Sequence, residues 1–267
     1  MHLKSLAFVL LLKLITFSDA LPDEKQDVDN GDLQDKDDST DTILKMNKGS
    51  SEIMLEGDLL LPRTRTAMKC YTEASSCLWR KSNNGNVEIP FVISDNYDAG
   101  EKGTIVTSLK SMEAKTCIRF IPRTKQRDYI SYEPRYGCSS MMGRMGDKQV
   151  VALQRFGCVQ HGIILHETMH AMGFYHEHTR SDRDSHVRIN WNNIETFNAY
   201  NFQRQQTNNL NVPYDYKSLM HYGRNAFGIK DTDTITPIPD ASVEIGQRKS
   251  LSDYDILRIN RLYKCRN

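Results

Sequence analysis

With 267 residues, 39% of them hydrophobic and 26% charged, the chain has ordinary globular composition and enough length for one large domain or two small ones. Its net charge of +1 is unevenly spread: residues 21–65 hold twelve Asp or Glu against six Lys or Arg, whereas residues 66–267 hold twenty-seven basic side chains against twenty-one acidic ones. The two parts attract each other, and the lack of a basic run with interleaved aromatics argues against a nucleic-acid partner.

The amino terminus, MHLKSLAFVLLLKLITFSDA, places Lys4 ahead of an apolar run and small residues, Ser18 and Ala20, at signal-peptidase spacing. Residues 1–20 therefore read as a signal peptide of a secreted protein. The run is short of the roughly 20 apolar residues a membrane span needs, and Lys13 interrupts it, so no membrane anchor is expected. Residues 21–50 are Asp-rich, aromatic-poor and too polar to bury a surface of their own, which marks a leader rather than a domain. The leader ends in LLLPRTRTAMKC, where Arg63 and Arg65 offer sites to a trypsin-like activating protease. The expected organisation is signal peptide 1–20, acidic activation propeptide 21–65 and a protease domain 66–267.

All six cysteines, Cys70, Cys77, Cys117, Cys138, Cys158 and Cys265, follow the expected cut, and an even number in an exported chain reads as three disulfides. Fifteen pairings are formally open. Short spacings favour Cys70 with Cys77 and Cys138 with Cys158, leaving Cys117 for Cys265. A zinc-thiolate site is disfavoured, because no Cys-x-x-Cys pair occurs.

VEIPFVIS at 87–94 reads as a strand. Residues 98–115 put Ile105, Leu109 and Met112 on one helical face, and 118–122, 128–132 and 149–153 read as further strands. Residues 160–172 carry Ile164, Leu165, Met169 and Met172 at helical spacing. An irregular, loop-rich half follows, until a last helix capped by Ser252 turns Ile256, Ile259 and Leu262 inward. This order predicts an α+β fold.

The helix at 160–172 opens the stretch HETMHAMGFYHEH, which holds four of the eight histidines of the chain. His166 and His170 lie one turn apart and can address a common ion; Gly173 lets the backbone leave the helix and return His176 as a third ligand. Three nitrogens leave one tetrahedral position of a zinc ion for water, the mark of a catalytic site. The ion lowers the pKa of that water to about 7, and Glu167 can take its proton during attack on a peptide carbonyl. Surface histidines on an amphipathic helix are the bland alternative. A bare His-Glu-x-x-His arises by accident in roughly one chain of this size in a hundred, and Gly173 with His176 makes accident far rarer.

HETMHAMGFYHEHTRSDRD resembles the zinc signature of the astacin family of metzincin endopeptidases, and the resemblance extends over most of residues 54–265. It implies a two-subdomain catalytic domain with a mixed sheet and zinc helix above an irregular half. SLMHY at 218–222 resembles the family's Met-turn, which makes Met220 the floor beneath the metal and Tyr222 a mobile zinc-binding tyrosine that helps hold the oxyanion. MLEGD at 54–58 resembles the family's Phe-x-Gly-Asp switch without its aromatic, and implies that Asp58 ligates zinc in the zymogen. Glu177 becomes the partner of a buried mature amino terminus beginning Thr66-Ala67-Met68, whereas His178 has no role in the motif and reads as solvated or structural. The RSDRD and VRINWNNI segments read as scaffold.

The family's pairings match Cys117 with Cys265 and Cys138 with Cys158. The extra Cys70 and Cys77, with AMKCYTEASSCLWRK, narrow the resemblance to the six-cysteine hatching enzymes of fish, the low choriolytic type nearer than the high. The resemblance also implies that substrate pairs as an added strand along Cys138, Ser139, Ser140 and Met141. Relatives commonly carry aromatics there, whereas this chain has Ser139 and Met141, so the main-chain pairing is expected to survive and the effect on subsite preference stays open. The expectation is a secreted, monomeric zinc endopeptidase acting on egg-envelope glycoproteins, stored in zymogen granules, with one catalytic zinc per chain and no module after Cys265. A nephrosin-like secreted astacin of another tissue would share every catalytic residue. A catalytically silent envelope-binding protein is disfavoured by the intact Glu167.

Overall fold

The structure, a computed structural model, describes residues 39–61 and 77–266. The expected signal peptide, the cut sites at Arg63 and Arg65, the terminus Thr66-Ala67-Met68 and Cys70 lie outside the described residues.

Among the described residues, seven strands form one mixed sheet: β1 (Met54–Leu55), β2 (Leu59–Leu60), β3 (Val87–Ile93), β4 (Ile118–Pro122), β5 (Tyr129–Glu133), β6 (Cys138–Met141) and β7 (Lys148–Leu153), in the order β1-β2-β6-β7-β5-β3-β4. β4, β3, β5 and β7 run parallel, and β6 pairs antiparallel with β7. The helices are α1 (Ser39–Asn47), α2 (Ala99–Glu113), α3 (His161–Ala171) and α4 (Asp253–Leu262). A small ribbon of β8 (Val187–Ile189) and β9 (Ile235–Pro237) belongs to the loop-rich half. The architecture is the α+β arrangement expected from the sequence.

α2 starts where Asp98 accepts from the Glu101 amide at 2.9 Å while the Glu101 carboxylate accepts from the Asp98 amide, a reciprocal cap that satisfies two donors of the first turn. Its buried face is Ile105, Ser108, Leu109 and Met112. α3 differs in kind: every residue from Gly162 to Ala171 is buried, so this helix has no solvent face. The main core is built from Val87, Ile89, Ile130, Val151 and Leu153 of the sheet against α2 and α3, and a second cluster of Val187, Phe202, Tyr214, Tyr222 and Ile235 fills the lower half. Among the described residues no helix is long and apolar enough to cross a membrane.

Cys117 is bonded to Cys265 and Cys138 to Cys158, as the spacing suggested. Cys77 is also disulfide-bonded.

The Asp-rich stretch at 21–50 is too polar to bury a surface of its own, yet its residues 39–47 form α1, whose Ile43 is 1% exposed within the main core. The physical reason is borrowed surface: a polar segment that cannot bury itself can still seat one apolar residue on a core already present. Asn47 then fixes the position, donating to the carbonyls of Gly57 (2.9 Å) and Cys138 (2.7 Å) and accepting from the Cys138 amide (2.8 Å).

α3 packs so closely that a Cβ built on Gly162 would fall 1.5 Å from the Arg248 carbonyl oxygen. Gly162→Ala is therefore expected to destabilise the protein by about 3 kcal/mol or more, because rigid backbone would have to move. Denaturant unfolding checks this; an unchanged midpoint would mean that α3 is not wedged as described.

Candidate active site

His166 and His170 project from successive turns of α3, and both rings are fully buried. The helix ends at Gly173, whose φ of +101° is a conformation that side-chain-bearing residues avoid, and the reversed chain delivers the buried His176. The three rings stand with centroids 4.7–5.0 Å apart. The sequence-predicted triad is thus assembled, and the surface-histidine alternative is excluded by burial.

Each imidazole has its Nδ1 against an oxygen acceptor: His166 against the Leu219 carbonyl at 2.9 Å, His170 against the Phe174 carbonyl at 2.7 Å, and His176 against the Glu56 carboxylate at 2.8 Å. Protons held at Nδ1 leave Nε2 as a lone pair in a neutral ring. Yet Nε2 of His166 lies 3.2 Å from Nε2 of both His170 and His176. Asp58 adds a carboxylate, with Oδ2 3.1 Å from His166 and 3.3 Å from His176, and Oδ1 3.4 Å from His170. Four buried electron-pair donors, all within 4.8 Å of one another, repel unless a cation sits among them. Three imidazole nitrogens and one carboxylate oxygen are a tetrahedral donor set for zinc. One zinc ion is the cofactor of this site.

The electrostatics agree. Burial raises the Asp58 pKa, but His176 and His170 outweigh it and hold the carboxyl well below its usual range. Burial likewise works against a charged His176, yet Asp58 and Glu56 lift it to about 9, whereas burial takes His166 well down. The pocket draws positive charge toward its carboxylates.

Glu167 lies between the two helical histidines, fully buried, and neither carboxylate oxygen has a hydrogen-bond partner among the described residues. Burial first, and Asp58 second, push its pKa well above the usual carboxylate range. Tyr222 is buried against the His176 ring at 4.6 Å and donates its hydroxyl to the Glu56 carbonyl. Met220 is 1% exposed in the main core, and its carbonyl accepts from the Glu177 amide at 2.9 Å. Glu177 is buried and held by Arg258 (2.6 Å), by Arg180 (3.1 Å) and by the Asp215 amide (2.7 Å), beside a cavity of about 180 Å³ lined in part by Arg180, Arg258 and Leu262. His178 proves structural rather than solvated: it is fully buried, stacked on Tyr222 at 3.7 Å, with Nε2 3.0 Å from the Asn201 carbonyl.

The strand of Cys138, Ser139, Ser140 and Met141 is present as β6, and its outer edge is taken by β2. β2 pairs with it in parallel, Leu59 opposite Ser140 and Leu60 opposite Met141, and the Ser140 amide donates to the Asp58 carbonyl at 3.1 Å.

Two contributors escaped the sequence reading. Asp255 of α4 accepts from the Ser218 hydroxyl (2.6 Å) and the Leu219 amide (2.8 Å), fixing the turn whose Leu219 carbonyl orients His166. Glu56 faces His176 from the turn between β1 and β2. Neither belongs to a spacing pattern, although Ser252-x-x-Asp255 is a recognisable helix-start signal.

Two buried histidines on a helix and a third returned past its glycine turn, beside a mixed sheet and with a donor set that calls for zinc, define a zinc metalloendopeptidase. Residues 75–264 match the model of the Astacin peptidase family, and the chain belongs to that family. It is 54% identical to the low choriolytic enzyme of Oryzias latipes, over 99% of this chain and all of that protein, and 50% identical to high choriolytic enzyme 1 of the same fish over the full length of both. The solved structure of that high choriolytic enzyme, a hatching-enzyme zinc protease, superposes with a TM-score of 0.71 at 55% identity, covering 75% of this chain and all of that one.

Stripping the metal removes a ligand that binds the folded site and not the unfolded chain. A zinc concentration 100-fold above Kd contributes about 2.7 kcal/mol, so chelation is expected to lower the melting temperature by about 5 °C or more. Calorimetry with and without chelator reads this, and coincident melting curves would refute the need for a cation.

Proposed function

We propose that the chain is the precursor of a secreted hatching protease that digests egg-envelope glycoproteins, held silent by residues 21–65 until a trypsin-like protease cuts after Arg65. The observation that carries the reading is the Asp58 carboxylate lying against all three imidazoles while Leu59 and Leu60 occupy the edge of β6. One leader segment then blocks both the metal and the strand on which a substrate would pair. Full-length similarity to choriolytic enzymes supports the hatching role and the envelope as substrate. The proposed form is a monomer stored in zymogen granules before release.

Zinc, when bound, supplies Lewis acidity for a peptide carbonyl and its attacking water. Glu167 takes the proton of that water, a task suited to a buried carboxylate whose affinity for protons is raised. With the leader gone, the Tyr222 hydroxyl loses the Glu56 carbonyl and can donate to the developing oxyanion. Met220 floors the site. The new amino terminus docks near Glu177, where the adjoining cavity leaves room for its first residues. The substrate backbone takes the place of β2 along Cys138, Ser139, Ser140 and Met141.

Glu167→Gln should keep zinc and lose turnover by about 10²- to 10⁴-fold, the range for loss of a general base; retained turnover would assign the base elsewhere. Asp58→Ala should leave the uncut precursor measurably active on casein, and full latency would mean that steric cover by the leader suffices. The decisive assay is cleavage of casein and isolated egg envelope by protein cut after Arg65, with and without a chelator. Chelator-sensitive cleavage of both supports the proposal, whereas casein cleavage alone retains the protease and rejects the envelope role.

A further inference from the structure

The outer partners of the three histidines are of two origins. His166 and His170 point their Nδ1 atoms at Leu219 and Phe174 carbonyls of the protease part, so those contacts persist whatever happens to the leader. His176 alone points its Nδ1 at a leader side chain, Glu56, at 2.8 Å.

Glu56 is built into this position. It is fully buried, at a left-handed φ of +53° that is uncommon for a residue with a side chain. The same Oε2 also accepts from the His176 amide at 3.3 Å, Oε1 accepts from the Gln205 side chain at 3.0 Å, and the Glu56 carbonyl accepts from Tyr222. A carboxylate behind a metal-ligating imidazole fixes the ring and makes its other nitrogen a stronger donor. With Asp58 two residues on, the leader sets two negative charges against a doubly charged ion.

We propose that Glu56 is a zinc-retention residue: it holds and strengthens His176 as a ligand, so the precursor keeps its zinc more tightly than the enzyme freed of the leader. The proposal rests on the reading of residues 21–65 as a removable leader and goes beyond latency, because it assigns the leader a role toward the metal that does not pass through blockade of the cleft.

The experiment is zinc competition at fixed pH, titrating a chromophoric zinc chelator against the intact precursor and against protein from which trypsin has removed the leader. Glu56→Gln is expected to weaken zinc retention by the precursor about tenfold, the lower end for loss of an outer partner of a metal ligand. After removal of the leader the variant and the wild type are the same molecule and should retain zinc equally, and less tightly than the wild-type precursor. Gln205→Ala frees the other Glu56 oxygen without touching His176, and should leave zinc retention near wild type. Equal retention by Glu56→Gln and wild-type precursors would overturn the proposal, as would a loss in Gln205→Ala as large as that in Glu56→Gln, which would reduce Glu56 to an anchor. Casein cleavage by the uncut Asp58→Ala precursor reads latency separately. Full latency there, with a tenfold zinc loss in Glu56→Gln, would sink the switch reading and leave this inference standing.

Discussion

Three imidazole nitrogens and a carboxylate share one small, fully buried space, and a zinc ion at its centre satisfies all four at once. The rest of the molecule reads as the means of enforcing it. A helix with no solvent face carries two of the donors, a glycine turn returns the third, and every ring is aimed by an oxygen behind it. The cost of bringing unpaired donors together is met by packing around the helix and by the ion itself.

Support for the site comes from distant parts of the chain. Asp255, on the last helix, grips the turn at Ser218 and Leu219, and that turn aims His166. Burial pushes the Asp255 pKa up, while bonds from Ser218, Leu219 and Ser252 act to keep it charged. The same helix leads to Cys265, tied to Cys117 at the head of β4, so the metal's surroundings are fastened covalently to the far edge of the sheet. Glu177, gripped by Arg258 of this helix and by Arg180, closes the loop between the triad and the carboxyl-terminal region.

What the sequence made legible follows from where information is local. Ile105, Leu109 and Met112 recur at helical spacing, and His166, Glu167, His170, Gly173 and His176 sit within eleven positions, so both the helix and the donor set could be read from a short window. The α+β order of elements was legible for the same reason. Helix α1 was not, because its stability lies in a core contributed by residues far along the chain. Glu56 was equally hidden: one acidic residue in an acid-rich stretch acquires meaning only when a left-handed turn points it at His176. His178 shows the opposite limit, since its neighbours in sequence are ligands but its burial and stacking on Tyr222 are purely three-dimensional.

The parallel pairing of Leu59 and Leu60 with Ser140 and Met141 has a colloidal consequence. A strand with one side unpaired presents a row of free amides and carbonyls, and such rows nucleate association between like molecules. While β1 and β2 remain in place, that row on β6 is capped by the chain's own backbone. The removal of residues 21–65 proposed above would expose it, along with the apolar surface on which Ile43 rests. The proposed precursor and the proposed mature form would then differ in how crowded a solution each tolerates, and the concentrations suited to keeping the protein would not be those suited to using it.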